Sequence, residues 1–220
     1  LNIGFKHYLS SMMKLESLLL NKNTGFILGL TGSIAMGKTT VSNMFRELGV
    51  QIWCADNEVN ELYKINGAAT KIFSDEFPSV VTNTGVDKKK LRNLIHKDNA
   101  ILKKVERIVH PLLEHSKVDF IRSNRELPLI IFDIPLLFEK QQERSFDAVL
   151  VVTASELTQK KRVLSRKNIE EQDFQLIKRN QMSEHEKIKK ADFLINTDKS
   201  LSETKQDVLK IYQKIKGLLI

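Results

Sequence analysis

The sequence has a single cysteine, Cys54, in 220 residues. An intrachain disulfide framework and a cysteine-rich zinc site are therefore excluded, and a reducing cytoplasm fits. Proline and glycine are scarce, at 4 and 9 residues, too few for a collagen-like or long disordered chain. No apolar run approaches the ~20 residues that cross a bilayer as a helix. The histidines (His7, His96, His110, His115 and His185) are scattered and form no metal-ligand spacing. Zinc-finger spacing, an RNP-like aromatic motif and a long basic arm are all missing. What is left is 41% hydrophobic and 28% charged, the balance of a globular chain long enough for one sizeable core with a small insert.

Negative charge is also in short supply. Lys and Arg total 35 against 27 Asp and Glu, a net charge of +8. The excess is partly local, with ten basic and five acidic residues between Lys160 and Lys190. A basic stretch suits nucleic acid, a membrane surface or a small phosphorylated ligand. The missing motifs favour the last, so neither nucleic acid nor membrane is expected as a partner. Residues 1–25 precede the first clear strand pattern and read as an N-terminal extension, disordered or a short helix. They lack the compact apolar region and small-residue cleavage site of a signal peptide.

The apolar run Phe26–Leu30 reads as a buried strand. Val41, Met44, Phe45 and Leu48 then recur at helical spacing over 39–48, and Gly49 stops that helix. Residues 50–53 read as a second strand. From 58 to 125 helical patterns dominate, over 58–65, 68–77, 88–95 and 99–121. Pro111 is expected to kink or split the last of these. Strands follow at 129–133, 146–152 and 192–196. The intervening patterns predict helices over 158–166, over 174–191 with a break near Met182-Ser183, and from Ser202 to about Ile215. Short continuous apolar strands alternating with helices predict a parallel five-stranded sheet covered on both faces, an α/β fold. The expected core is 26–57, 126–160 and 191–220, with a helical insert at 58–125 and a basic lid at 161–190.

Gly32-Ser33-Ile34-Ala35-Met36-Gly37-Lys38-Thr39 matches G-x-x-x-x-G-K-[ST] between a strand and an amphipathic helix. Such a P-loop points its amides and a helix N-terminus at phosphate oxygens. Lys38 is expected on the β- and γ-phosphates and the Thr39 hydroxyl on Mg²⁺. The base-reading N-K-x-D and the D-x-x-G of switch GTPases are missing. A helical insert and a basic lid beside the loop favour a small-molecule kinase using ATP or GTP.

Ligands of open α/β sheets sit beyond the strand C-termini, so Asp56, just after the second strand, belongs near the crevice of Lys38. It either takes or orients a hydroxyl proton, or caps the helix that follows. Arg162 and Arg166 share a helical face. They either grip the transferring phosphoryl group or pair with Glu170 and Glu171. Asp133 follows the third strand, as a metal-linked or water-linked carboxylate or as a structural one. His110, before Pro111, lines an acceptor pocket or packs.

Several motifs in order resemble dephospho-CoA kinases from Phe26 to the last helix: GLTGSIAMGKTT, CADNEV, LKKVERIVHPLL with Glu106, His110 and Pro111, FDIPLLFE at 132–139, TQKKRVLSR with Gln159, Arg162 and Arg166, Asn180-Gln181, and ADFLIN at 191–196. The resemblance implies a P-loop fold of the nucleoside-monophosphate-kinase-like type. It implies transfer of the ATP γ-phosphoryl group, with Mg²⁺, to the ribose 3′-hydroxyl of dephospho-CoA. Lys38, Asp56, Arg162 and Arg166 would be catalytic. Residues 32–40 (Gly32, Ser33, Ile34, Ala35, Met36, Gly37, Lys38, Thr39 and Thr40) and Asn196 would hold the nucleotide. Asp56, His110, Pro111 and Leu136 would hold the acceptor. Gln181 would lie at the lid hinge or nucleotide side. The enzyme would be cytoplasmic, a monomer or weak homo-oligomer. Three positions depart from the family pattern. Ala35 replaces the usual glycine, which leaves the loop one less flexible position; a methyl group fits there if the local φ is negative. Lys88-Lys89 replaces arginine. Thr197 follows Asn196 where a glycine is common.

Overall fold

The computed structural model describes residues 25–165 and 171–219. Its elements begin with β1 (Phe26–Thr31), α1 (Lys38–Glu47) and β2 (Gln51–Cys54). Next come α2 (Ala55–Leu62), α3 (Ala68–Glu76), β3 (Val81–Thr82), β4 (Gly85–Val86), α4 (Lys88–Lys97) and α5 (Asn99–Ser123). They end with β5 (Leu129–Asp133), β6 (Ala148–Thr153), α6 (Glu156–Leu164), α7 (Glu171–Arg179), α8 (Glu184–Lys189), β7 (Phe193–Asn196) and α9 (Leu201–Gly217). The chain divides into two compact units: Cys54–Ser123, and, of the described residues, 25–53, 124–165 and 171–219.

The larger unit holds a five-stranded parallel sheet in the order β2-β5-β1-β6-β7. β5 and β6 are buried at every position and β1 from its second residue onward. Their continuous apolar runs follow from this, because helices cover both faces of a parallel sheet. The edge strands β2 and β7 mix buried and exposed positions. Val41, Met44 and Phe45 of α1 and Val208 and Ile215 of α9 pack with Leu28, Leu30, Leu150 and Val152 in one core. A fully buried Phe45 contributes roughly 2–3 kcal/mol by removal from water. Two carboxylates tie strand starts. Asp147 accepts from the Ile27 N–H at 2.7 Å, and Asp192 from the Val149 N–H at 2.8 Å. The break predicted in the helix over 174–191 falls at 180–183, where Ser183 and Glu186 form a capping box that restarts the chain as α8.

The smaller unit is mainly helical, around Tyr63, Ala69, Phe73, Phe77, Val80, Leu91, Val105 and Val109. Phe73 and Phe77 meet edge to face with centroids 5.2 Å apart. It contains one element absent from the sequence reading, the antiparallel pair β3–β4. Two-residue strands are too short to display an alternation that a periodicity argument can detect. Pro111 does not split α5, which runs unbroken for 25 residues. The lost N–H costs one helical hydrogen bond, and Val105, Val109, Val118 and Ile121 are buried on both sides of it. Among the described residues, no helix is long and apolar enough to cross a membrane.

Candidate active site

β1 ends at Thr31, and the glycine loop turns the chain directly into α1. A Cβ on Gly32 would lie 2.6 Å from the Val152 carbonyl oxygen, so contact with β6 requires glycine here. Gly37 occupies the N-cap of α1 at φ +90°, a conformation that side chains strain. No side chain caps this helix, and Lys38 and Thr39 open it. The Lys38 and Thr39 amides at the uncapped, positive end of the helix and the adjacent ammonium together form an anion seat.

Ala35 does not meet the condition of a negative φ. Its φ is +60°, in the left-handed region rather than the negative one that a methyl group prefers. That conformation costs about 1 kcal/mol or more for a residue with a Cβ. The side chain packs with Val163 and Phe174 and is 9% exposed, and this burial offsets part of the cost.

Distant side chains hold the loop from outside. Gln159 of α6 donates to the Ile34 carbonyl at 2.9 Å, and the Ile34 N–H donates to Gln181 Oε1 at 3.2 Å. Arg162 donates to Thr197 Oγ1 and to the Thr197 carbonyl, both at 2.8 Å, and to the Ala35 carbonyl at 3.4 Å. The Thr197 hydroxyl lies 2.8 Å from the Met36 carbonyl. Arg162 therefore faces the loop. The acid next to it in the alternative reading, Glu171, pairs with Lys160 at 3.1 Å. Arg166 and Glu170 lie outside the described residues. Thr197 is a site residue the sequence did not signal; only its departure from the family pattern drew notice. Its hydroxyl, 6% exposed as a residue, supplies a polar contact that no side chain of glycine would make.

Lys38 Nζ forms an ion pair with Asp133 Oδ1, and their side chains are 15% and 5% exposed. Register explains the meeting. Asp133 ends β5 opposite Leu30 of β1, and Lys38 begins the helix that the loop launches from β1. Thr39 and Thr40 are exposed in the first turn of α1. Among the described residues, no group of three or more His, Cys, Asp or Glu is placed to hold a metal ion. Hydroxyl and carboxylate oxygens in small number fit Mg²⁺, which keeps several waters and uses substrate phosphates as ligands.

In the helical unit, Asp56 is exposed on the first turn of α2. It is not the cap: the helix starts one residue earlier and Cys54 occupies the N-cap. A first-turn acid still complements the helix dipole. Cys54 is half-buried. Glu58 of the same helix accepts from the Ser116 hydroxyl of α5 at 2.6 Å. His110 and Pro111 are half-buried on α5. In the larger unit, Leu136 is 37% exposed in the turn after β5. Asn196 is exposed at the end of β7, where its side chain accepts from the Asp198 N–H at 2.8 Å.

Comparison with known proteins agrees with this arrangement of motifs. The dephospho-CoA kinase of Jannaschia sp. (strain CCS1) is 43% identical over 190 residues, covering 86% of this chain and 97% of that protein. That of Bartonella henselae is 40% identical over 195 residues, covering 88% and 98%. The crystal structure of TT1252 from Thermus thermophilus superposes with a TM-score of 0.76 at 29% identity, covering 87% of this chain and 97% of that one. A family model for dephospho-CoA kinase matches residues 26–203, and the chain belongs to the dephospho-CoA kinase family.

Proposed function

We propose that this protein phosphorylates the ribose 3′-hydroxyl of dephospho-CoA with ATP, giving coenzyme A and ADP. The observation that carries the reading is the uncapped, Lys38-bearing start of α1 behind a complete phosphate loop, in a chain of this family. The acceptor oxygen attacks the γ-phosphorus, the bond to the β–γ bridging oxygen breaks, and the hydroxyl proton leaves to a base. Asp56 is assigned as that base, or as the group that orients the hydroxyl. Lys38 stabilises the γ-phosphoryl oxygens as charge spreads over them, exchanging its Asp133 partner for phosphate.

Arg162 holds the loop carbonyls and Thr197 in the geometry just described, so its side chain borders the donor phosphates. Arg166 is assigned to the same oxygens. Residues 32–40 and Asn196 are assigned to the nucleotide, and Gln181 to the loop's outer side. His110, Pro111 and Leu136 are assigned to the acceptor. The helical unit is read as the acceptor-binding domain and 161–190 as a lid. When bound, Mg²⁺ would neutralise β- and γ-phosphate charge. The Thr39 hydroxyl would ligate it, with Asp133 holding one of its waters. The enzyme is placed in the cytoplasm, as a monomer or weak homo-oligomer that needs neither nucleic acid nor membrane.

The test is ADP release measured across a panel of acceptors, with the product mapped on the ribose. Dephospho-CoA should far exceed AMP, CMP and uridine nucleotides, and the phosphate should appear at the 3′ position. A preference for a nucleoside monophosphate would overturn the assignment. So would salt-sensitive RNA binding without dephospho-CoA turnover.

A further inference from the structure

Among the described residues, the most deeply buried cation of the larger unit has no part in the proposed reaction. Lys187 of α8 is 0% exposed. Its ammonium lies 2.9 Å from Glu139 Oε1 and donates to the hydroxyl of Ser33, the second residue of the phosphate loop, at 3.1 Å. Ser33 in turn donates to Glu184 Oε2 at 3.0 Å. Glu139 Oε1 also accepts from the Met182 N–H at 2.8 Å, fixing the chain just before α8.

A buried ammonium is costly unless its partners are in place, so these contacts tolerate little rearrangement. The Ser33 hydroxyl has one proton. That proton goes to Glu184, so the oxygen presents a lone pair to Lys187 and the rotamer is locked from both sides. Ser33 also closes the loop through its carbonyl, which accepts from the Met36 N–H at 3.2 Å. The two loop residues after it are held as well, Ile34 by Gln159 and Gln181 and Ala35 by Arg162. Glu139 Oε2 and Glu184 Oε1 are buried with no hydrogen-bond partner. The ammonium thus links the Glu139 carboxylate to Ser33, whose hydroxyl donates to Glu184.

We propose that Lys187 is a positioning residue for nucleotide binding: through Ser33 it presets the phosphate loop in its anion-accepting shape. The idea rests on the ATP-using reading above. It places the cost of ordering the loop in folding rather than in binding. Removing the contact should therefore weaken the nucleotide and leave the acceptor alone.

The test compares Lys187→Met/Glu139→Gln, which removes the ion pair without leaving Glu139 charged and unpaired, with Ser33→Ala, which deletes the same contact from the loop side. ADP affinity is measured by calorimetric titration, and KM is measured separately for ATP and for dephospho-CoA. Both variants should bind ADP and ATP about tenfold more weakly, with the acceptor KM changed by less than about twofold. Combining them should add little, because both act through one contact. Unchanged ADP affinity, or equal loss for both substrates, would overturn the proposal. If the lysine variant does not fold, Ser33→Ala decides by the same criteria. If wild-type protein binds ADP but does not phosphorylate dephospho-CoA, the functional reading fails. The ADP titrations then decide the role of Lys187 by themselves.

Discussion

Replacing Lys38 with methionine should do two separable things. The ion pair with Asp133 is largely buried, at 15% and 5% side-chain exposure. Methionine keeps the stem but strands the carboxylate, which breaks a buried pair from one side. Such a break costs about 3–5 kcal/mol when both partners are sealed from water. Lys38 retains some solvent contact, so about 2–3 kcal/mol is the better figure. For a domain of this size that lowers Tm by roughly 5–10 °C. Independently, loss of a charge aimed at the transferring group should reduce kcat by about 10²–10³. Calorimetric melting without nucleotide, alongside initial rates at saturating ATP and acceptor, measures both. Adding Asp133→Asn should restore most of the Tm and none of the turnover. If the single variant melts with wild type, or the double variant recovers nothing, a stranded Asp133 carboxylate is not the source of the loss. Turnover within about tenfold of wild type would remove Lys38 from the chemistry.

Three further outcomes are expected. Asp56→Asn should lower the melting temperature by no more than about 4 °C, because the exposed side chain contributes only its helix-dipole interaction, while kcat falls by about 10²–10⁴; wild-type turnover at saturating substrates would exclude the base role. Ala35→Gly relieves about 1 kcal/mol of left-handed strain but loses about 0.8 kcal/mol of methyl burial and up to ~1 kcal/mol through a freer unfolded chain. Denaturant unfolding should therefore find it neutral to about 1 kcal/mol less stable, and clear stabilisation would show that strain dominates. Burial pushes the Tyr63 phenol up to about 12, above its unfolded value of about 10. The sign follows from linkage. The contribution is fully present below about pH 10 and is lost as pH rises through about 12. Tyr63→Phe should flatten that part of the alkaline unfolding curve, and an unchanged curve would contradict the burial effect.

Sequence and structure disagree where local rules compete with packing. Residue 35 is the clearest case: a methyl group fits best at negative φ, yet the loop holds Ala35 at +60°, with its side chain packed against Val163 and Phe174. Pro111 suggested a break, yet buried valines and an isoleucine on both sides carry α5 through. Capping was one of two readings of Asp56, but α2 starts at Ala55 with Cys54 as its N-cap, a two-residue shift that no propensity rule resolves.

The sequence by itself determined the parallel sheet, the phosphate loop and the family. Apolar runs of strand length and a contiguous eight-residue motif are local properties, readable without knowing what folds against them. Only the tertiary structure decided what holds that loop. Its partners at 133, 159, 162, 181, 187 and 197 lie some hundred or more residues downstream. Several are ordinary polar residues whose meaning is their position. Lys187 reads in sequence as one more charge on a basic stretch. Folding buries it completely, and a buried ammonium must find partners, which here include Ser33 of the phosphate loop.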